Sequence, residues 1–356
     1  MLLARRRQRG VVLALVLVLA LVLTTVVFTF MRRAVIDSTI VRNRDRVAQA
    51  EALARGGVRL ATAMLIWDAL QKSIAALAGG VEGVTPGLTL DDLWARFEEV
   101  ELTTPDGGVL HISIRDPGAR LNLNSLVSFE EADLQPDADA EEYLVELFEK
   151  VIDEIPLPPG ERGVYDAREM AQNLLDFMDA NDERIDGGGE DDYYQRQNPP
   201  YRAANRPLLS IEELRLVEGF DTDFVAAFRP YVTVFPLVDA SGINLNTAPP
   251  HVLSAVYHGT SGDRRLVNEE VVRQILRLRQ EGRILCDESS MDPDRCTSLS
   301  EVQLEGSIFP EVSLPAEGAI FTIRSTAVVG DISRVIEVVV DREDLRRPQM
   351  LSWRVE

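Results

Sequence analysis

The stretch that decides the fold is RGVVLALVLVLALVLTTVVFTF, Arg9 to Phe30. From Val11 onward it supplies about 20 largely apolar positions, the length a helix needs to cross the hydrocarbon core of a bilayer. Arg5, Arg6, Arg7 and Arg9 precede the run and favour a cytoplasmic N-terminus, an asymmetry that Arg32 and Arg33 weaken from the other side. A secretory signal would have a shorter apolar region and a small-residue cleavage site at its end. Here the run ends in FTFMRRAV (Phe28–Val35), so the segment is expected to stay attached to the chain.

The residues that follow extend the helix. VAQAEALARGGVRLATAMLIWDAL (Val47–Leu70) contains no proline and carries Leu53, Leu60, Met64 and Trp67 at intervals of seven, four and three, which places one apolar stripe on a helix. The expectation is a single long helix, membranous in its first half and amphipathic in its second, that feeds rigidly into the domain it carries.

Composition narrows the function. The 356 residues are 46% hydrophobic and 27% charged, as in a globular chain, and the formal net charge is −21. Acids are spread along the chain with no basic stripe, which argues against nucleic acid as a partner. Oxygen-rich, acidic surfaces suit a calcium-containing space, because hard cations take oxygen ligands. The two cysteines, Cys286 and Cys296, flank a polar, proline-containing loop that could bring the sulfurs together. Closing it would stabilise the fold by roughly 2–3 kcal/mol and implies an oxidising compartment such as the periplasm. The alternatives are two unpaired thiols, or zinc, for which three scattered histidines hardly supply partners.

Strands are expected near both ends of the soluble part. In GGVLHISIRDPG, Leu110, Ile112 and Ile114 alternate with His111, Ser113 and Arg115, a half-buried strand. AIFTIRSTAVVGDISRVIEVVVDR reads as a hairpin turning at Gly330-Asp331, and MLSWRVE can add a last strand. Between them the pattern is helical, with no convincing strand pair. A short helical stretch is expected around Leu90–Glu98 after a glycine-rich break over Leu77–Gly87, and EEYLVELFEKVIDEI, DAREMAQNLLDFMD and NEEVVRQILRLRQEG are further helices. Asp166 with Glu169 and Ser210 with Glu213 make capping-box starts, Thr247 is placed to cap TAPPHVLSAV, and Gly282 makes a C-terminal stop.

The densest acidic patch, LLDFMDANDERIDGGGEDDYY (Leu174–Tyr194), holds Asp179, Asn181, Asp182, Asp186, Glu190, Asp191 and Asp192. Asp179 and Glu190 are spaced as first and twelfth positions of a calcium loop, but Arg184 stands at the sixth, where such loops need glycine. The patch is therefore no EF-hand; it reads either as a solvated acidic loop or as a calcium site of another design. SGINLNTAPPHVL resembles the opening of helix-hairpin-helix modules, but its surroundings are acidic. None of His111, His251 and His258 sits in a recognisable nucleophile motif, and the chain is read as non-enzymatic.

Several stretches together resemble a known family. RGVVLALVLVLALV ahead of a long helix looks like the processed N-terminus of type IV pilins and secretion pseudopilins. ARLNLNSL, NLLDFMDANDERIDGGGEDDYY, PPYRAANRPLLSIEELRLVEGF and INLNTAPPHVLSAV are similar, in order over nearly the whole chain, to the general secretion pathway protein K family, the large minor pseudopilin of type II secretion.

The resemblance implies an α+β fold: a pilin-like long N-terminal helix and small antiparallel sheet, with a large inserted α-helical domain of two sterile-alpha-motif-like (SAM-like) units. In these terms residues 1–10 are a leader, 11–31 the transmembrane helix and 32–80 its amphipathic continuation. Residues 81–121 begin the pilin-like domain, 122–312 form the insertion (units at about 122–235 and 240–312), and 313–356 return to the sheet. Prepilin peptidase would cut after Gly10 and Val11 would be methylated. Asp179, Asp182, Glu190, Asp191 and Asp192 would bind structural calcium, and Cys286 and Cys296 would pair. Leu15 stands where pilins usually carry glutamate, which would mark the first subunit of a fibre. The implied partners are the I and J minor pseudopilins, the inner membrane and secretion platform, and secreted proteins, with no nucleic acid. The implied location is the inner membrane, single-pass, with the C-terminal domain in the periplasm. A type IV minor pilin and a membrane-tethered helix-hairpin-helix DNA-binding protein are the rival readings.

Overall fold

The computed structural model describes every residue except Met1, 78–87, 97–100, 131–132, 157–164, 261, 288–294 and 317. The glycine-rich break lies almost wholly outside the described residues, as do the last residues of the 90–98 stretch. The described part of that stretch, 90–96, forms turns and a short 3-10 piece rather than an α-helix.

Helix α1 runs unbroken over Leu2–Leu77. At 1.5 Å per residue its 76 residues reach about 110 Å, so one rigid rod carries the apolar span and also enters the soluble domain. It first meets that domain at Arg46, which pairs with Asp331 at 2.6 Å, and from Ala50 the buried seam Ala50, Ala54, Val58, Ala61 and Leu65 begins. The spacing of four, four, three and four keeps these residues on one face. Gly57 lies in the same seam; a Cβ there would come within 2.2 Å of Ser325 Oγ and 2.9 Å of Leu110 Cδ1. Small residues thus let the helix backbone approach the sheet closely. The stripe read from the sequence is a different one: Leu60 is 41% exposed and Trp67 57% exposed, while Leu53 and Met64 are half-buried. Packing selected the narrow seam and left Leu60 and Trp67 pointing outward, with Leu53 packed at its edge.

Beneath α1 is one antiparallel sheet of five strands in the order β1 (Glu101–Thr103), β2 (Val109–Arg115), β3 (Ile320–Val329), β4 (Ile332–Asp341) and β5 (Gln349–Val355). Strands β3 and β4 form the expected hairpin, with Gly330 at φ 64° in the turn. Strand β2 pairs with β3 through Ile114–Ile323, Ile112–Ser325 and Leu110–Ala327. The two ends of the soluble chain therefore close one sheet, and everything between them is inserted. Leu110, Ile112, Ile114, Phe321, Ile323, Ile336 and Val338 make its core with α1.

The insertion has its own core. Helices α2 (Ala140–Glu154), α3 (Ala167–Met178), α4 (Asp191–Tyr194), α5 (Thr222–Phe228), α6 (Pro250–Leu253) and α7 (Glu269–Gln280) surround it. Phe148 of α2 meets Phe220, Phe224 and Phe228 edge-on at 5.1–5.6 Å, an arrangement that adds to plain area burial. Asp166 caps α3 by accepting from the backbone N–H groups of Arg168 and Glu169, and Gly282 at φ 73° follows α7. Ser210 and Glu213 form a capping box, but the segment it opens, Ile211–Leu216, is a 3-10 helix. Thr247 does not cap α6; its hydroxyl donates to Asp116 Oδ2 at 2.7 Å. The insertion also holds short strand pairs that the sequence reading did not expect, among them Tyr257–Thr260 between Ser307–Phe309 and Asp263–Leu266.

Two matching turns organise the insertion. In Leu121-Asn122-Leu123-Asn124, the Asn122 side chain accepts from Asn124 N, and the Asn124 amide bonds both the N–H and the C=O of Leu208. In Ile243-Asn244-Leu245-Asn246, Asn244 accepts from Asn246 N, and the Asn246 amide bonds both backbone groups of Leu285. Each clamp leads into a Ser-x-x-Glu turn, Ser210–Glu213 and Ser298–Glu301, in which the glutamate accepts from the serine N–H. The insertion is one motif built twice. The first copy carries the long acidic hairpin between its α3 helix and its clamp; the second carries the cysteine loop nearby.

Candidate metal centre

The acidic hairpin folds back on the end of α3. Ala180 N donates to Leu134 O, Glu190 N to Asp182 O, and both Ala204 N and Asn205 N to Phe177 O. This brings Asp176 from the last turn of α3, Asp179 from its C-cap and Glu190 from the far side of the hairpin together. Each offers a carboxylate oxygen, and these oxygens lie within 4.8 Å of one another. All three residues are buried, Asp179 and Glu190 to 2% exposure.

The oxygens lack donors. Ile185 N reaches the Asp176 carboxylate at 3.1 Å and Asn181 Nδ2 reaches Asp179 Oδ2 at 2.7 Å. Asp179 Oδ1, both oxygens of Glu190 and Asn205 Oδ1 have no hydrogen-bond partner among the described residues. A buried acceptor without a donor costs about 1–3 kcal/mol, and more if charged. Burial raises the carboxyls accordingly: Asp176 to about 6, Asp179 to about 7 with the Asp176 charge adding to it, and Glu190 to about 8 with Asp179, Asp176 and Asp182 adding to it. A bare cluster of this kind repels itself. A hard divalent cation held by oxygens alone fits it, and the three carboxylates are the matching donors.

The structure divides the five expected ligands. Asp179 and Glu190 belong to the cluster. Asp182 lies outside it and accepts from Asn205 Nδ2 at 3.3 Å. Asp191 is used on the neighbouring loop, accepting from Ala203 N at 3.2 Å and facing Arg202 Nε at 3.6 Å. Asp192 follows it on α4, likewise outside the group of three. Asp176 was missed, because within the helix it reads as an ordinary polar position; its spacing of three before Asp179 was the available signal. Arg184 turns away to Glu218 at 2.8 Å and Asn173 at 2.6 Å, tying the hairpin to the first unit.

The other singled-out residues are placed as follows. Cys286 and Cys296 form a disulfide with Cα atoms 5.5 Å apart. Asn244, Asn246 and Thr247 of the helix-hairpin-helix-like stretch are buried and bonded to Asp116 and Leu285, so this turn joins the insertion to the end of β2. Gly10 and Val11 are both within α1, and Val11 and Leu15 are exposed along the apolar span. That span is long and apolar enough to cross a membrane.

A long apolar helix over a small antiparallel sheet, interrupted by an α-helical insertion, defines a pilin-like subunit of enlarged type. Comparison with known proteins agrees. A sequence profile for type II secretion system (T2SS) protein K matches residues 119–237. Type II secretion system protein K of Pseudomonas aeruginosa is 33% identical over 255 residues, covering 71% of this chain and 69% of the relative. The protein K of Pectobacterium carotovorum is 30% identical over 260 residues, covering 71% of each. The crystal structure of the GspK-GspI-GspJ complex from enterotoxigenic Escherichia coli contains a chain of like fold, with a TM-score of 0.57 at 20% identity, covering 89% of this chain and 99% of that one. The chain belongs to the type II secretion system protein K family and is a minor pseudopilin.

Proposed function

We propose that this subunit, with the I and J minor pseudopilins, forms the tip complex that initiates and caps the periplasmic pseudopilus, anchored by α1 in the inner membrane and carrying structural calcium at Asp176, Asp179 and Glu190. The observation that carries the reading is the outer face of α1. Leu60, Trp67 and Ile74 recur every seven residues and are 41%, 57% and 64% exposed, with Leu70 between the last two. Such a repeat on a helix that continues an apolar span is a seam for neighbouring helices rising from the same membrane. The related complex named above, which holds three different subunits, supports the choice of partners. The bulk of the insertion supports a terminal position, because it would block addition of a subunit above it.

Processing follows the same reading: cleavage after Gly10 frees Val11, where the apolar helix begins, for methylation. Mass spectrometry of the chain from membranes, with and without prepilin peptidase, tests this; an intact leader in both would remove it. The assembly is tested by purifying the full chain from detergent-solubilised membranes with I and J, with and without a calcium chelator. Co-purification of both partners is expected. Deleting residues 122–312 and still finding normal pseudopilus length and secretion would sink the capping role.

A further inference from the structure

Helix α1 covers only part of its sheet. It packs on β2, β3 and β4, and Ile336, Val338 and Val340 beneath it are buried. The pairing of β4 with β5 carries the same face one strand further: Val355 lies opposite Ile336, Trp353 opposite Val338 and Met350 opposite Val340. Residues directly opposite in antiparallel strands point to the same side. These three therefore face the side on which α1 lies, yet Met350 is 57%, Trp353 42% and Val355 48% exposed. Arg354 points the other way and pairs with Glu212 of the insertion at 3.2 Å, which fixes the strand from behind.

Strand and helix spacings leave room for a helix above that row. Strands are spaced by about 4.8 Å and packed helices by about 8–10 Å. With α1 seated over β3 and β4, a second helix beside it would have its axis over β5. The flank of α1 bordering this space is not the one with the seven-residue repeat. Leu53 packs toward Gly108 at the start of β2, so Leu60 and Trp67 lie on the β2 side. Helical spacing turns Arg55, Arg59, Thr62 and Ile66 toward β5. Arg59 thus borders an apolar row, with Arg55 beside it paired to Glu51 at 2.5 Å.

From this geometry we infer that the groove between α1 and β5 receives a second helix running parallel to α1: the amphipathic continuation of another subunit's membrane anchor. Its apolar stripe sits on Met350, Trp353 and Val355, and an acidic residue of its flank faces Arg59. The inference rests on the tip-complex reading and adds that the two partner subunits use opposite flanks of α1.

The test uses full-length chain purified from membranes with I and J. Met350→Glu combined with Trp353→Glu is expected to weaken recovery of one partner at least about tenfold and leave the other, as truncating a central aromatic contact does. Trp67→Glu, on the other flank, should give the converse. Retention of both partners by the Met350/Trp353 variant, with wild-type melting behaviour, overturns the inference while leaving the tip-complex reading intact. Failure of the wild-type chain to recover either partner overturns the reading and the inference with it. A second measurement does not depend on the charged variant folding. Trp353→Cys is cross-linked to cysteines scanned along the partner's helix. Cross-links recurring every three to four residues support a docked helix; recurrence at every second residue would mean a strand added to the free edge of β5, and would overturn it.

Discussion

At the scale of single residues, the carboxylate cluster makes the sharpest demands. Asp176, Asp179 and Glu190 have folded-state pKa values raised to about 6, 7 and 8, first of all by burial. A carboxyl raised on folding contributes its stability fully below its unfolded pKa and loses it as pH rises through the folded value. Without a bound cation, the melting temperature should therefore climb as pH falls from about 8.5 to about 5.5, since protonation removes the mutual repulsion. Saturating calcium should flatten that slope and raise the melting temperature most at the alkaline end, because a ligand that binds only the folded state stabilises it by mass action. A metal-free melting curve that falls with acidification over this window would contradict the assignment. Glu190→Gln and Asp176→Asn remove a negative charge at little change in shape. Each is expected to weaken calcium binding at least about tenfold by calorimetry, while raising the metal-free melting temperature at pH 8. Asp191→Asn and Asp192→Asn, outside the cluster, should leave affinity nearly unchanged.

At the scale of elements, the two adjacent glycines of α1 offer a matched pair. Gly57 faces the sheet, with Ser325 Oγ 2.2 Å from where a Cβ would stand, whereas a Cβ at Gly56 meets nothing within 4 Å. Gly57→Val should cost about 1–3 kcal/mol by overpacking. Gly56→Ala should gain up to about 1 kcal/mol from helix propensity alone. Denaturant melts of the two variants check both; equal effects would mean that α1 does not seat through this seam. The same seam explains what the sequence did not reveal. Strand β2 and the β3–β4 hairpin were legible because large apolar residues alternate and one face is buried. On α1 Leu60 and Trp67 mark the outward flank, and the seam is written mainly in Ala50, Ala54 and Ala61, which a search for bulky periodicity passes over. In the carboxylate cluster, Asp179 and Glu190 were legible from their density in one hairpin. Asp176 was hidden in a helix, and Asn205 reaches the hairpin only through tertiary bonds to Asn181 O and Asp182. The short strands of the insertion, two to four residues each, are fixed by the asparagine clamps and have no periodic signal of their own.

At the scale of the whole molecule, the apolar span and the domain are mechanically one piece, because α1 is continuous from Leu2 to Leu77. What happens at the membrane end is therefore transmitted to the tip without a hinge among the described residues of this helix. Under the proposed cleavage after Gly10, Leu15 becomes the fifth residue of the mature chain, where pilin-type subunits usually carry a glutamate that pairs with the terminal amine of the subunit already in place. A subunit that starts the fibre has no such predecessor. A carboxylate there would remain unpaired in lipid, at a cost below the roughly 2.5–3.5 kcal/mol of a central position because Leu15 is the fifth residue of the span. Leucine removes that cost, and Leu15 is 65% exposed on α1, where it can face lipid. Leu15→Glu should therefore lower the membrane-inserted fraction, or the yield of complex with I and J, by about tenfold or more, and Leu15→Gln, polar but uncharged, should do so less. Undiminished complex formation by Leu15→Glu would mean that the acid finds a partner within the tip itself, and the absence of charge at this position would then say nothing about which subunit comes first.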